Sequence, residues 1–239
     1  MIDLSVFITS FLAGIVHGVA GFGGALVTMQ VFPHFFGIPV GAGITCALGI
    51  PLCAGMMLRY KKDIAVKTAV LPAILYTATS SIVISCSLSL DQLLVKRIFG
   101  IFLILLSLYY IFIGKAAQSS RISLPACLVC ILISATCDGL FGIGGPLMVL
   151  YFITMTESTH AYLGTIQLFF WINSIYNTGF RFYKGILLPE HISAILIGSA
   201  GILIGSFIAA RIVDKLDVAT LRKVIYVMLG VSGIINLIG

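Results

Sequence analysis

Charged residues are scarce in this chain. Only 14 lysines and arginines and 8 aspartates and glutamates occur among 239 residues, which is 9% of the total. A soluble domain carries about 25% charged residues, because charge is what covers a water-facing surface. The composition therefore excludes a soluble globular fold. Since 60% of the residues are hydrophobic, the lipid bilayer must be the solvent for most of the chain.

Alternation of apolar and polar residues is also lacking, which excludes the strands of a membrane β-barrel. The apolar residues form continuous runs that predict helices at 2–20, 25–36, 41–60, 64–86, 93–114, 122–141, 146–154, 161–182, 191–212 and 219–238. We therefore expect an all-α polytopic membrane protein with about 8–10 membrane segments. The first run has neither a basic region before it nor a convincing cleavage site after it, so we expect a retained helix.

Motifs for metals, cofactors and catalysis are missing. The six cysteines lie in apolar runs, and Cys127 and Cys130 have neither a second pair nor a nearby histidine, so we expect packing residues and no metal or cofactor. No His-x-x-x-His, Gly-x-Ser-x-Gly or paired-aspartate motif occurs. An enzyme is not expected, although Asp138 with His17 leaves an intramembrane enzyme as an alternative. The net charge of +6 is typical of membrane loops and does not predict a nucleic-acid partner.

The chain contains an internal repeat. Residues 18–26 align with 139–147, with five of nine positions identical, and 58–64 align with 180–186. A third match pairs 90–97 with 216–223, and the offset grows only from 121 to 126 residues. Three matches in register predict a duplication.

The repeat divides the chain into two halves and predicts its orientation. We expect a first repeat at 1–114, a linker at 115–121 and a second repeat at 122–239. An odd number of crossings in each repeat would invert one half relative to the other. That arrangement leaves four basic residues outside, Lys96, Arg97, Arg181 and Lys184, and places ten inside: Arg59, Lys61, Lys62, Lys67, Lys115, Arg121, Arg211, Lys215, Arg222 and Lys223. The bias predicts that both termini lie outside.

Glycine clusters interrupt matching helices in the two repeats. Glycine costs ~1 kcal/mol in a helix interior, so each cluster predicts a break. The run at 146–154 would span only ~14 Å, well short of the ~30 Å hydrocarbon core, and predicts a partial span. A half-helix that begins at a break offers free N–H groups and a partial positive charge to an anion. The predicted substrate-binding residues of the breaks are Gly21, Phe22, Gly23, Gly24, Gly142, Ile143, Gly144 and Gly145.

Other glycine patterns predict close helix packing rather than a site. They lie at Gly14 and Gly18, and at Gly198, Gly201 and Gly205. Small residues at these spacings let two helix backbones approach one another.

Ionisable residues stand at matching positions before the two breaks. His17 lies four residues before Gly21, and Asp138 lies four residues before Gly142. An ionisable group inside the membrane is a functional hypothesis by default, so the pair is a candidate for proton coupling. The alternative is that Asp138 accepts backbone hydrogen bonds and His17 is a satisfied packing residue.

Uncharged polar residues continue the candidate site along the run at 161–182. Gln167, Asn173 and Asn177 are predicted to contact substrate, and Ser174 to support Asn177, although such residues also hold helices together. Glu157 and His160 lie in a connection that water could reach, and are weaker candidates.

The paired glycine clusters, the stretch from Thr165 to Ser174 with Arg181 and Gly185, and the duplicated layout resemble the TauE/SafE sulfite exporter family. The resemblance implies a secondary transporter of small anions, often sulfite, sulfonates or other organosulfur compounds, with about eight membrane helices. Ala25 and Pro146 depart from the family's longer glycine run.

We therefore expect a multi-pass transporter of the cell membrane that alternates access to a small anionic substrate. We expect it to need no cofactor and to bind no nucleic acid. The sequence is compatible with either a monomer or a homodimer. An anion channel is the main alternative, because inverted repeats also occur in channels.

Overall fold

The computed structural model describes residues 2–112 and 124–212, together with 230, 231 and 234. Nine α-helices form this part of the chain: α1 Ile2–Ala20, α2 Gly24–Phe36, α3 Ile38–Arg59, α4 Val66–Ser87, α5 Gln92–Phe112, α6 Leu124–Phe141, α7 Gly145–Met155, α8 Thr159–Tyr183 and α9 Ile192–Ile212. The predicted all-α class is confirmed. The predicted linker at 115–121, and most of the last predicted helix at 219–238, lie outside the described residues.

Two of the helices are short, as the sequence predicts. Helix α2 has 13 residues and α7 has 11. At 1.5 Å per residue they extend over about 20 Å and 17 Å, which is less than a bilayer's hydrocarbon core. Each therefore reaches only part of the way across.

Several longer helices have the length and composition to cross a membrane. Among the described residues these are four stretches, Ile2–Ala20, Ile38–Arg59, Val66–Ser87 and Pro189–Arg211. Helix α8 is the longest, at 25 residues, and it carries the polar side chains of the candidate site. Its first turn is fixed by Ser158, whose side chain accepts a hydrogen bond from the Ala161 N–H.

Helices α1 and α9 pack with their backbones in direct contact, through the predicted glycines. A Cβ atom at Gly14 would overlap the carbonyl oxygen of Ile202, and one at Gly205 would overlap the carbonyl oxygen of Phe11. Only glycine permits this approach, which confirms the packing prediction for both patterns.

The helix pairings connect the two halves of the chain. Helix α1 packs against α9, α4 packs against α6, and α3 packs against α8. Near the breaks, buried apolar side chains of α4, α6, α7 and α8 form a cluster around Tyr76, Phe152 and Phe169. Residues of both halves therefore surround the space between α3 and α8, where the two glycine breaks meet.

Candidate functional site

The first break separates α1 from α2. The N–H of Gly21 donates to the carbonyl of His17 over 2.7 Å and closes the last turn of α1. Gly21 and Gly23 have φ of 75° and 97°, in the left-handed region that favours glycine. Helix α2 then begins at Gly24, packed against the His17 ring. The break is thus built into the local sequence, and it leaves the start of α2 without a side-chain cap among the described residues.

The second break has the same closing bond. The N–H of Gly142, at φ 65°, donates to the carbonyl of Asp138 over 2.8 Å. Helix α7 begins at Gly145 with proline next, and in the described structure no side chain caps it either. His17 and Asp138 therefore hold equivalent backbone positions, as the repeat predicts.

Gly144 differs from its counterpart Gly23. Its φ of −106° is open to any residue. A Cβ atom at Gly144 would instead overlap the hydroxyl oxygen of Tyr76, a side chain of α4 that is buried against Phe169. Glycine is thus required at 144 for space rather than for backbone conformation.

A cavity of about 90 Å³ lies between the two breaks. A water molecule needs roughly 10–15 Å³ by the same measure, so a small anion fits. Most of the predicted site residues line it: His17, Phe22, Gly23, Gly24, Asp138, Gly142, Gly144, Gly145, Asn173 and Asn177. Ser174, which was predicted to support Asn177, also lines the cavity. The structure adds Tyr76 and the free thiols of Cys46 and Cys53 to that lining.

Three predicted substrate-binding residues are not among the residues that line the cavity: Gly21, Ile143 and Gln167. Ile143 belongs to an apolar cluster behind the second break. Gln167 supports the first break, because its Nε2 donates to the Gly21 carbonyl over 2.8 Å and its Oε1 lies 3.2 Å from His17 Nε2. Gln167 therefore positions the loop instead of facing the cavity.

The carboxylate of Asp138 is held by a chain of side chains. One of its oxygens accepts a hydrogen bond from the Asn177 amide. The amide oxygen of Asn177 in turn accepts from the Ser80 hydroxyl over 3.0 Å. Asn177 thus orients Asp138, and each of its two polar atoms makes a hydrogen bond to another side chain.

Arg181 of α8 was counted among the basic residues on the outer side of the membrane, but its side chain is completely buried. Its guanidinium donates to the carbonyls of Asp138 and Gly139 over 3.1 and 2.9 Å, and to the carbonyl of Pro39 over 3.3 Å. It therefore caps the last turn of α6 and carries no information about membrane orientation. Its spacing of i+4 from Asn177, on the same helix face, is the signal that could have found it.

The two weakest candidates lie away from the site. Glu157 and His160 are exposed. The centroids of the His160 and Tyr60 rings lie 5.7 Å apart, with the rings tilted relative to one another. Within the described residues, no group of three or more histidines, cysteines or acidic residues is placed to hold a metal ion.

Comparison with known proteins identifies the family. No curated protein and no solved structure matches the chain. The family model described as "Sulfite exporter TauE/SafE" matches residues 6–235, nearly the whole length. Taken with the apolar helices, the match shows that the chain belongs to the sulfite exporter TauE/SafE family of multi-pass membrane transporters.

Proposed function

We propose that this protein is a secondary active transporter of a small anion, either sulfite, a sulfonate or another organosulfur compound. The observation that carries the proposal is that two helix N-termini meet at one cavity, with no side-chain cap among the described residues. Each N-terminus carries about half a positive charge and free N–H groups. Together they would neutralise about one negative charge without a lysine or arginine in the described lining.

The pairing of helices supports a duplication with two-fold symmetry behind this site, and we propose that the two halves are inverted. Helix α1 contacts α9, and α6, the equivalent of α1, contacts α4, the equivalent of α9. A two-fold relation between the halves produces this exchange and places α3 against α8 at its centre. Alternating access would follow from rearrangement of one half against the other around the cavity.

Both termini are proposed to face the outside. Arg181, which is buried, must be removed from the four basic residues that the sequence assigned there. Three then remain outside against ten inside, so the charge bias in favour of this orientation becomes stronger.

The first prediction concerns binding of the substrate class. Sulfite, sulfate, thiosulfate, sulfoacetate, taurine, acetate, chloride and phosphate are added to detergent-purified protein, and the melting temperature is recorded. A bound anion stabilises the native state, by ~2.7 kcal/mol at 100 times its dissociation constant. We expect sulfite or an organosulfur anion to raise the melting temperature, and acetate and chloride to leave it unchanged.

A matched pair of variants tests the location of that binding. Ser174→Leu fills the cavity from α8 and should remove the shift, measured against the variant's own melting temperature. Thr178→Val, on the same helix but outside the residues that line the cavity, should keep it. A shift that survives Ser174→Leu would place binding elsewhere. Saturable counter-flow in vesicles would separate a carrier from a channel.

The second prediction concerns proton coupling, for which we propose Asp138 with His17. Both are buried ionisable groups at the cavity, one at each break. Asp138→Asn should leave the protein folded, because an amide can fill the same space, and should flatten the dependence of transport on a pH gradient. Uptake into vesicles with and without the gradient measures this. Unchanged coupling in the variant would remove Asp138 from the proposal.

A further inference from the structure

Asn173 presents a hydrogen-bond acceptor that protein atoms do not satisfy. Its side chain is 4% exposed and lines the cavity. Its Nδ2 donates to the Phe169 carbonyl over 2.8 Å, one turn earlier in α8. Its Oδ1 is buried and finds no partner in the described part of the chain. A buried acceptor left in this state costs free energy, so its presence needs an explanation.

The orientation of the Asn173 amide is fixed by its other bond. Turning the amide over would put Oδ1 against the Phe169 carbonyl, two acceptors about 2.8 Å apart with no hydrogen between them. Only the nitrogen can occupy that position. The unpaired atom is therefore an oxygen, and an oxygen of this kind can only accept.

A second acceptor lies in the same lining. Asp138 contributes a carboxylate, of which one oxygen accepts from Asn177. Asn177 donates one of its two amide hydrogens to that carboxylate, and its oxygen accepts from Ser80. The cavity thus combines backbone N–H donors at the two breaks with side-chain acceptors from α6 and α8.

A purely accepting anion would match only the first of these two sets. Sulfate or an alkanesulfonate has oxygens that suit the N–H groups, but nothing to donate to Asn173. A ligand with a negative group and an O–H or N–H satisfies both sets. A site built to bond such a donor discriminates against the analogue that lacks it, because the site's polar atom then stays unpaired.

We propose that the ligand of this cavity carries a hydrogen-bond donor in addition to its negative charge, and that Asn173 Oδ1 selects for that donor. This inference rests on the proposed function, since it assumes that the anion binds between the breaks. It narrows the substrate class to anions that also carry an O–H or N–H, such as hydrogensulfite or a hydroxy- or amino-substituted sulfonate.

Three sulfonates of nearly equal size test the inference: propane-1-sulfonate, 2-hydroxyethanesulfonate and taurine. They differ at one end only, which is a methyl, a hydroxyl or an ammonium group. The dissociation constant of each is measured on the purified full chain by calorimetry. We expect the hydroxyl or the ammonium compound to bind about fivefold or more tightly than the methyl compound, the worth of about one hydrogen bond. Equal affinities for the three would overturn the inference.

Variants then assign the preference to one atom. Asn173→Leu removes the acceptor at similar volume and should reduce the preference to below about twofold, mainly by weakening the donor-bearing ligand. Thr178→Val removes another buried, unpaired polar atom of α8 outside the residues that line the cavity, and should keep the preference. A preference that persists in a folded Asn173→Leu variant would overturn the role of Asn173. If that variant does not fold, the wild-type comparison still decides whether a donor is required.

The outcomes also separate this inference from the proposed function. If all three sulfonates bind with equal affinity, the proposed function as an anion transporter stands and only the requirement for a hydrogen-bond donor fails. If no anion of any kind binds, both the inference and the proposed function fail.

Discussion

Gly144→Ala is expected to abolish substrate binding and to destabilise the protein by about 1–3 kcal/mol, the usual cost of overpacking a well-packed interior. The new Cβ atom would overlap the hydroxyl oxygen of Tyr76. Tyr76 is 1% exposed, with its ring edge-on to Phe169 at 5.0 Å, so it cannot turn away without disturbing the cluster behind it. The collision therefore pushes apart the start of α7 and the wall of the cavity. Melting temperature and anion binding measure the two effects.

Two controls identify the cause as this collision. Tyr76→Phe deletes the nearest atom, so the double variant with Gly144→Ala should recover part of the lost stability, although the ring carbon at 2.9 Å remains tight. Gly179→Ala, at a helical glycine with no described atom within 4 Å of a new Cβ, should be neutral or slightly stabilising. Equal effects at Gly144 and Gly179 would contradict the steric explanation.

Arg181→Met is expected to give the largest loss of stability in the site, about 3–5 kcal/mol, which is typical of removing one partner of a buried charged group. The variant leaves three carbonyls without their donor, those of Pro39, Asp138 and Gly139. It also removes the positive charge that attracts the Asp138 carboxylate. The free energy of unfolding, measured by denaturant titration in mixed micelles, tests this.

Companion variants separate charge from hydrogen bonding. Arg181→Lys keeps the charge, but an ammonium group lacks the planar fork that reaches carbonyls of two helices, so it should recover only part of the loss. Adding Asp138→Asn to Arg181→Met removes the uncompensated carboxylate, and the double variant should be more stable than Arg181→Met alone. A loss below about 1 kcal/mol for Arg181→Met, the range of exposed ion pairs, would show that the buried network is not needed.

The local features of this fold could be predicted from sequence. The glycine clusters fixed the two breaks because left-handed backbone at Gly21 and Gly142 needs glycine. The glycine spacings of α1 and α9 predicted that each would pack closely against another helix, although not that they would pack against one another. Both predictions depend on the spacing of glycines within one loop or along one helix, and that spacing can be read directly from the sequence.

The contacts that organise the site could not be predicted in the same way. Gln167 bonds a carbonyl 146 residues earlier, and Arg181 bonds carbonyls 42 and 142 residues away. Such bonds depend on how α8 lies against the breaks, which no local pattern encodes. Arg181 was counted on the outer side of the membrane because it lies near the end of an apolar run, where an arginine usually reaches water. Arg59, at the matching repeat position, is in fact exposed.

Helix α8 connects the two breaks. Gln167 donates a hydrogen bond to the first break, and Arg181 donates to the end of α6 before the second. These two residues lie 14 residues, or about 21 Å, apart on one continuous helix. Because α8 is one continuous helix with hydrogen bonds to both breaks, a displacement of one break is expected to strain the hydrogen bonds at the other. Movement of one break is therefore expected to be coupled to movement of the other. By linkage, any free energy that a ligand gains by moving one break is felt at its counterpart.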